Sequence, residues 1–337
     1  MKSEPIFQQA LPFHNHFTIM EKLMLLVSRI CSRVPARCFA AAAALCLLTS
    51  SARADEDAIT LAPNNPDVVA VVQVADILQS PAFKKIAAQL PDLAGKLDEP
   101  LGKKTKLTVR DIESVVVTAD TAKQDFVVVF NLARECGLDD VIDDEHRTNP
   151  EEIGDYTLYV LAEDNALCLV DESTIAMGPA KSMRAILERD DDAEISDELE
   201  AAIASADDEQ PIYIVAALGS LAQRATGAIP QHIPLTPETI GKLKIATITA
   251  NAGETAITVG ASLNCTDSAT AEQIKTLLDA VLHAALQPEA NTPAEARQTL
   301  STLNSSVDGE LFTISFDVGF DVILAQVKSQ LTAAPTP

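Results

Sequence analysis

Large aromatic side chains are scarce in this sequence, which has no Trp, three Tyr and ten Phe among 337 residues. Sugar-binding clefts and nucleobase platforms commonly use such rings for stacking, so their scarcity disfavours both kinds of site without excluding either. Basic residues are also few, because 25 Lys and Arg stand against 49 Asp and Glu, a formal net charge of −24. A chain of this charge repels phosphate backbones, and we therefore expect no nucleic-acid partner.

Catalytic motifs are missing as well. The sequence contains no G-x-S-x-G, S-x-x-K or H-E-x-x-H pattern, the spacings that place a nucleophile or a zinc ion beside its base. Beyond residue 54 the histidines are His146, His232 and His283, and His283 is expected to form a surface pair with Asp279 one helical turn before it. We assign no catalytic residue. An extracytoplasmic hydrolase remains an alternative if His146 or His232 converges with carboxylates from distant positions.

A long membrane-spanning run is absent, because the longest early apolar stretch, Cys38–Leu48, has 11 residues where a bilayer helix needs about 20. The stretch follows three arginines and ends in Ala-Arg-Ala before an acidic segment. A basic region, a short apolar region and small residues at the end are typical of a cleavable secretory signal. We therefore predict a signal peptide over residues 1–54, with cleavage between Ala54 and Asp55.

This signal would be longer than the usual 15–30 residues, so the true start is expected at Met20 or Met24. The mature chain would be exported to the periplasm or the extracellular space and would not be embedded in a membrane. Because residues 1–54 hold six basic and two acidic side chains, residues 55–337 hold 19 basic and 47 acidic ones, a net charge of −28.

Three cysteines remain after the predicted cleavage site, namely Cys136, Cys168 and Cys265. An odd number allows at most one internal bridge. Cys168 alternates with apolar residues on a predicted strand and is expected to be a buried thiol. Cys136 and Cys265 each follow a strand by a few residues and are a candidate pair for a disulfide, with free thiols as the alternative.

Acidic clusters raise the question of a metal ion. Residues 138–155 hold eight carboxylates and a histidine, and Asp140, Asp144 and His146 could supply ligands if they converge. A charge-rich loop that is only solvated is the alternative. The acidic stretch that starts at Asp190 has Ile195 and Ala201 where an EF-hand needs Gly and Glu, so that motif fails. We expect no cofactor, with calcium at a surface site as the alternative.

Similar blocks recur in the same order in the two halves of the chain. Residues 118–132 align without gaps with 249–263, residues 67–79 match 211–223 in pattern, and 173–187 parallel 312–326 as a strand followed by a helix. Such recurrence predicts a duplicated unit. We predict a first unit at 55–190, an acidic linker at 191–209 with a short helix opened by Ser196, a second unit at 210–331 and a disordered tail at 332–337.

The strands of each unit follow one another as hairpins rather than alternating with helices. This order predicts the α+β class, with two duplicated units that each pack helices on a largely antiparallel sheet. The predicted strands are 68–74, 115–119, 126–132, 156–161, 166–170, 174–177, 212–218, 245–250, 256–263 and 311–316. The predicted helices are one that follows Ser80-Pro81, one over 180–188, one with an apolar stripe from Ile274 to Leu286, one that begins at a capping box at Thr292, and one near 320–331.

The signal segment, the strand P-D-V-V-A-V-V-Q-V leading into S-P-A-F-K-K-I, and the later matching strands resemble those of exported bacterial proteins of unknown function built from repeated α+β units. This resemblance implies no activity and no site residues. The expected function is a non-catalytic binding or interaction protein of the cell envelope, with a protein or small-ligand partner. The alternative is a carrier of an apolar ligand in a groove between the units.

Overall fold

The apolar strand runs assemble into one large antiparallel sheet, which helices cover on both faces. The computed structural model describes residues 56–90, 95, 97–98, 105–143, 150–161, 164–207, 210–219, 236–287 and 292–325. The predicted signal peptide and its cleavage site, Met20, Met24, Asp144, His146, His232 and the tail 332–337 lie outside these residues. Within them the chain has helices and a large antiparallel sheet, which confirms the α+β class.

The sheet has twelve strands in the order β11-β12-β10-β9-β8-β1-β2-β3-β7-β6-β5-β4. The strands are β1 Val68–Gln73, β2 Ile112–Asp120, β3 Asp125–Leu132, β4 Pro150–Ile153, β5 Tyr156–Val160, β6 Asn165–Asp171, β7 Thr174–Pro179, β8 Ile212–Ala217, β9 Leu243–Ala252, β10 Ala256–Cys265, β11 Asn304–Asp308 and β12 Leu311–Gly319. Strands β1 and β8 are hydrogen-bonded neighbours at the middle, so the two halves of the chain meet through a continuous sheet rather than across a cleft.

The α-helices connect and cover these strands. They are α1 Glu56–Thr60, α2 Val74–Gln79, α3 Pro81–Gln89, α4 Leu138–Val141, α5 Ala180–Leu187, α6 Asp197–Asp207, α7 Pro237–Ile240, α8 Ser268–Leu286 and α9 Ala294–Ser301. Residues 320–325 are also helical. No helix among the described residues has both the length and the apolar character needed to cross a bilayer.

Most predicted elements are present with slightly different ends. Ser80 caps α3 as expected, because its hydroxyl accepts a hydrogen bond of 3.1 Å from the backbone N–H of Phe83. The predicted capping box at Thr292 is wrong: its hydroxyl donates to the carbonyl of Ala285, 2.8 Å away, and Pro293 stands at the cap of α9. Strands β4 and β11 were not predicted, because each is short and polar.

The predicted linker at 191–209 contains α6, as expected from Ser196, whose hydroxyl accepts from the N–H of Leu199 at 3.3 Å. This helix packs against β8 and β9. Its side chains Leu199, Ile203 and Ala206 are buried because their i, i+4, i+7 spacing places them on one side of the helix. The acidic side chains occupy the other side, which explains how so polar a segment contributes to the core.

Two layers of core lie on opposite faces of the sheet. On one face, helices α5 and α6 cover a cluster that includes Val69, Val127 and Tyr213. On the other face, α2, α3 and residues 320–325 cover a second cluster, and α8 covers a third, smaller one around Cys265 and Phe312. The first cluster takes residues from both halves of the chain.

Candidate functional site

A groove lies beside α6, where strands β9, β10 and β12 extend past this helix. The groove has a volume of 640 Å³ between α6 and the exposed parts of β9, β10 and β12. It continues into a second hollow of 370 Å³, with which it shares Gln210 and Thr249. We name the two together the hydroxyl groove.

The floor of the hydroxyl groove comes from strand positions that alternate with apolar ones. Thr247 and Thr249 of β9 face the groove while Ile248 between them points to the other face of the sheet, because successive side chains of a strand alternate. Ser262 of β10 lies opposite Thr247 in the register. The floor is therefore a row of hydroxyl groups supported by a fully paired sheet.

A glycine deepens this floor. Gly260 lies opposite Thr249, and a Cβ at Gly260 would stand 2.7 Å from the Thr249 hydroxyl oxygen. Any other residue would fill the hollow or displace Thr249. The absence of a side chain at this position keeps the second part of the groove open.

The wall of the hydroxyl groove is the solvent-facing side of α6. Ala201, Ala202 and Ser205 present small side chains toward the floor, which leaves room for a ligand. Asp197 and Glu198 stand at the N-terminal end of the helix. Their carboxylates make this end of the groove attractive to cations and repulsive to anions.

The hydroxyls of the floor are available for binding. Thr247, Thr249 and Ser262 make no side-chain hydrogen bond to any residue that the structure describes. Farther along the same face, the hydroxyls do pair: Thr258 donates to Asp317 at 2.7 Å, and Ser306 lies 2.6 Å from the Thr313 hydroxyl. The three groove hydroxyls are thus not engaged by any side chain that the structure describes.

The residues singled out from the sequence do not form this site. Asp140 uses a carboxylate oxygen to accept from the N–H of Gly137 at 3.0 Å, at the start of α4. Its two proposed co-ligands, Asp144 and His146, lie outside the described residues, and no group of metal-ligating side chains is found among the residues that are described. The metal hypothesis therefore stays a prediction.

The predicted disulfide between Cys136 and Cys265 is not formed. Cys136, Cys168 and Cys265 are all free and buried. Cys136 packs in the cluster beside α2 and α3, whereas Cys265 packs under α8. The two thiols are held in separate parts of the core, and a bridge requires Cα atoms within about 7 Å.

The thiols are also unsuited to nucleophilic catalysis. Burial raises the pKa of Cys136 and of Cys265, and it raises the pKa of Cys168 to about 11. Reactive cysteines are instead partly exposed and have a lowered pKa. These three residues therefore act as small apolar side chains.

His283 does not make the surface pair expected from the sequence. Its Nε2 lies 2.9 Å from Nε2 of Gln287. Asp279 is instead held by Lys275, 2.6 Å away, and by the hydroxyl of Ser305 at 3.2 Å. An ammonium group one turn before the carboxylate competes successfully with a histidine one turn after it.

Comparisons with known proteins give a distant similarity of structure. No protein-family model matches the chain, and no curated protein matches it significantly. Crystal form I of TP0453 is 11% identical with a TM-score of 0.47, covering 82% of this chain and 98% of that one. Crystal form III is 11% identical with a TM-score of 0.48, covering 80% and 97%. Similarity at this level carries no information about the ligand or activity of this chain.

Proposed function

We propose that this chain is an exported, non-catalytic binding protein of the cell envelope, and that the hydroxyl groove is its ligand site. The observation that carries the proposal is the row of hydroxyls of Thr247, Thr249 and Ser262 along the floor of an open groove, none of which bonds to a side chain in the described part of the chain. Export is supported by the sequence pattern that ends at Ala54.

The chemistry of the groove selects the class of ligand. A hydroxyl both donates and accepts hydrogen bonds, so the floor suits a ligand rich in hydroxyl or amide groups. The carboxylates of Asp197 and Glu198 oppose an anionic ligand, and the ammonium group of Lys244, which also lines the groove, has its charge offset by Glu310 at 3.8 Å. Strands β9 and β10 are each paired on both sides, so a peptide cannot bind there by adding a strand. The best fit is a short polyhydroxylated molecule, neutral or cationic.

Calorimetric titration of the purified protein tests this function with three probes: maltotetraose, which is neutral, a chitosan tetramer, which is cationic, and a galacturonate tetramer, which is anionic. We expect binding of the neutral or the cationic probe and none of the anionic one. Ser262→Ala and Thr249→Val each remove one hydroxyl and should weaken binding about fivefold or more, since one hydrogen bond is worth about 1 kcal/mol.

Ser315→Ala is the matched control for this experiment. Ser315 lies on the same face of the sheet, on β12, but does not line the groove, so its removal should leave the affinity unchanged. The proposal is rejected if no probe binds at about 5 mM, which corresponds to roughly 3 kcal/mol. Equal losses in the groove variants and the control would also reject it.

We propose further that the two halves of the sheet are copies of one unit. The strand order supports this, because β1-β2-β3-β7-β6 on one side corresponds to β8-β9-β10-β12-β11 on the other. The registers support it too: Val68 pairs with Ala119, and Ile212 pairs with Ala250, the positions that the repeats align with each other. Strands β4 and β5 have no counterpart and would be an addition to the first copy.

A further inference from the structure

The two outer edges of the sheet differ in how well they are protected from pairing with another chain. At one edge, β4 carries Pro150 and two glutamates, and Glu151 is engaged by Nε of Arg184 at 2.8 Å. Proline and charged side chains are the usual means of preventing an edge strand from pairing with another chain. At the other edge, β11 has the sequence NSSVD, with no Pro, no Lys and no irregularity in its register with β12.

The outer backbone groups of β11 pair with no strand that the structure describes. Asp308 and Leu311 close the two-residue turn around Gly309, whose φ is +59°, and form a hydrogen-bonded pair. Because such pairs alternate along an antiparallel ladder, the N–H and C=O of Ser305 and Val307 point away from β12. Among the described strands, none pairs with β11 on that side.

Exposed apolar side chains are concentrated at the same end of the molecule. Among the described residues, the large hydrophobic side chains that are exposed are Val281 (41%), Leu286 (37%) and Leu311 (40%). They lie on α8 and β12, the elements that pack against β11. The Ser305 hydroxyl bonds to Asp279, and Leu286 follows Asp279 by seven residues, so it lies on the same flank of α8.

We infer that this end of the sheet is a homodimer interface, in which β11 pairs with β11 of a second copy in antiparallel fashion. A lone peptide strand would fill the open edge but leave Leu286 of α8 exposed. A second copy supplies its own α8 as well as its own β11, so the open edge and the exposed side chain of α8 are buried in the same contact.

The sequence of β11 is complementary to itself in this arrangement. With Ser306 on the two-fold axis, Asn304 faces Asp308 of the partner copy, so the two aspartates do not face each other, and Ser305 faces Val307. The chain already contains a pairing of this kind, because β1 and β8 are antiparallel neighbours arranged symmetrically around Ala70 and Ile214. At the outer edge, two molecules would thus form the same kind of antiparallel strand pair that β1 and β8 form within one molecule.

Charge opposes this association and gives it a distinctive salt dependence. Two copies with a net charge of −24 each repel one another, and Asp279, Asp308 and Glu310 lie near the contact. Added salt screens this repulsion, so the dimer should become stronger as the salt concentration rises. A basic peptide bound at the same edge would respond in the opposite direction.

Sedimentation equilibrium of the purified protein at about 5–200 μM, in about 50 mM and 500 mM NaCl, tests the inference. We expect a monomer–dimer equilibrium with a dissociation constant at least threefold lower at the higher salt concentration. Ser305→Pro removes an outward N–H and should weaken the dimer at least tenfold. Ser305→Ala loses the same bond to Asp279 but keeps the N–H, so it should dimerise like the unchanged protein.

Leu286→Glu provides a second variant at a partly exposed position, and it should weaken the dimer at least fivefold. Circular dichroism checks that each variant is folded. A monomer at every concentration in high salt overturns the inference, as does a dimer insensitive to both Ser305→Pro and Leu286→Glu. A monomeric protein that binds a Val-Lys repeat hexapeptide, in a way that Ser305→Pro abolishes, would show a peptide site at this edge instead.

Discussion

The pKa of the Cys168 thiol is determined by the residues that surround it. It lies on β6 with its thiol in the core, and burial raises its pKa from 9.0 to about 11. The sequence predicted a buried thiol from the alternation of apolar residues. The alternation indicates the face of the strand, and the extent of burial depends on α5, which lies over that face.

Cys168 should therefore resist alkylation in the folded protein. At pH 8 it has about one hundredth of the thiolate of an ordinary cysteine, so labelling by iodoacetamide should be at least a hundredfold slower than in guanidinium chloride. Mass spectrometry of the digested protein measures this site by site. Because the folded pKa is raised, the stabilising effect is present below pH 9 and is lost as the pH rises toward 11. Equal labelling rates in the two states would contradict the assignment.

Helix α3 is an element whose start is determined locally. Ser80 accepts from the N–H of Phe83, and Pro81 occupies the first helical position, where its missing N–H is not needed. The sequence predicted this start correctly. At α9 the same reasoning failed at Thr292, because a nearby carbonyl of α8 offered its hydroxyl another partner. Local capping signals are reliable only where no neighbouring element competes.

Replacing the cap of α3 should have a measurable cost. Ser80→Ala leaves the N–H of Phe83 without its acceptor and is expected to lower the free energy of unfolding by about 1 kcal/mol. Urea denaturation followed by circular dichroism measures the change. Ser80→Thr keeps the hydroxyl and should recover most of the loss. A cost equal for Ala and Thr would mean that packing, not capping, is what Ser80 supplies.

The whole molecule is united by its first core cluster. Val129 of the first half and Val215 of the second belong to this cluster, and both are fully buried. The hydrogen bonds between β1 and β8 join the halves along the middle of the sheet. Two predicted units therefore share one core, which makes independent unfolding unfavourable.

Unfolding is accordingly expected in a single cooperative transition. Val129→Ala and Val215→Ala each remove the equivalent of two buried methylene groups. Each should lower the free energy of unfolding by about 2 kcal/mol. Calorimetry and circular dichroism together measure the number of transitions and their midpoints. Two separate transitions, each sensitive to only one of the variants, would show that the halves unfold independently.

The sequence by itself determined the class of the fold and most of its strands and helices, because these depend on alternation, apolar spacing and helix caps within short segments. It also predicted a repeat, and Val68 and Ile212, which this prediction aligns, pair with Ala119 and Ala250, which it also aligns. Only the tertiary structure decided that the halves join through β1 and β8, that α6 packs into the core, and where the hydroxyl groove lies. Thr247, Thr249 and Ser262 are ordinary outward-facing strand residues in sequence. They become a candidate site because α6, from a distant segment, forms a wall beside them.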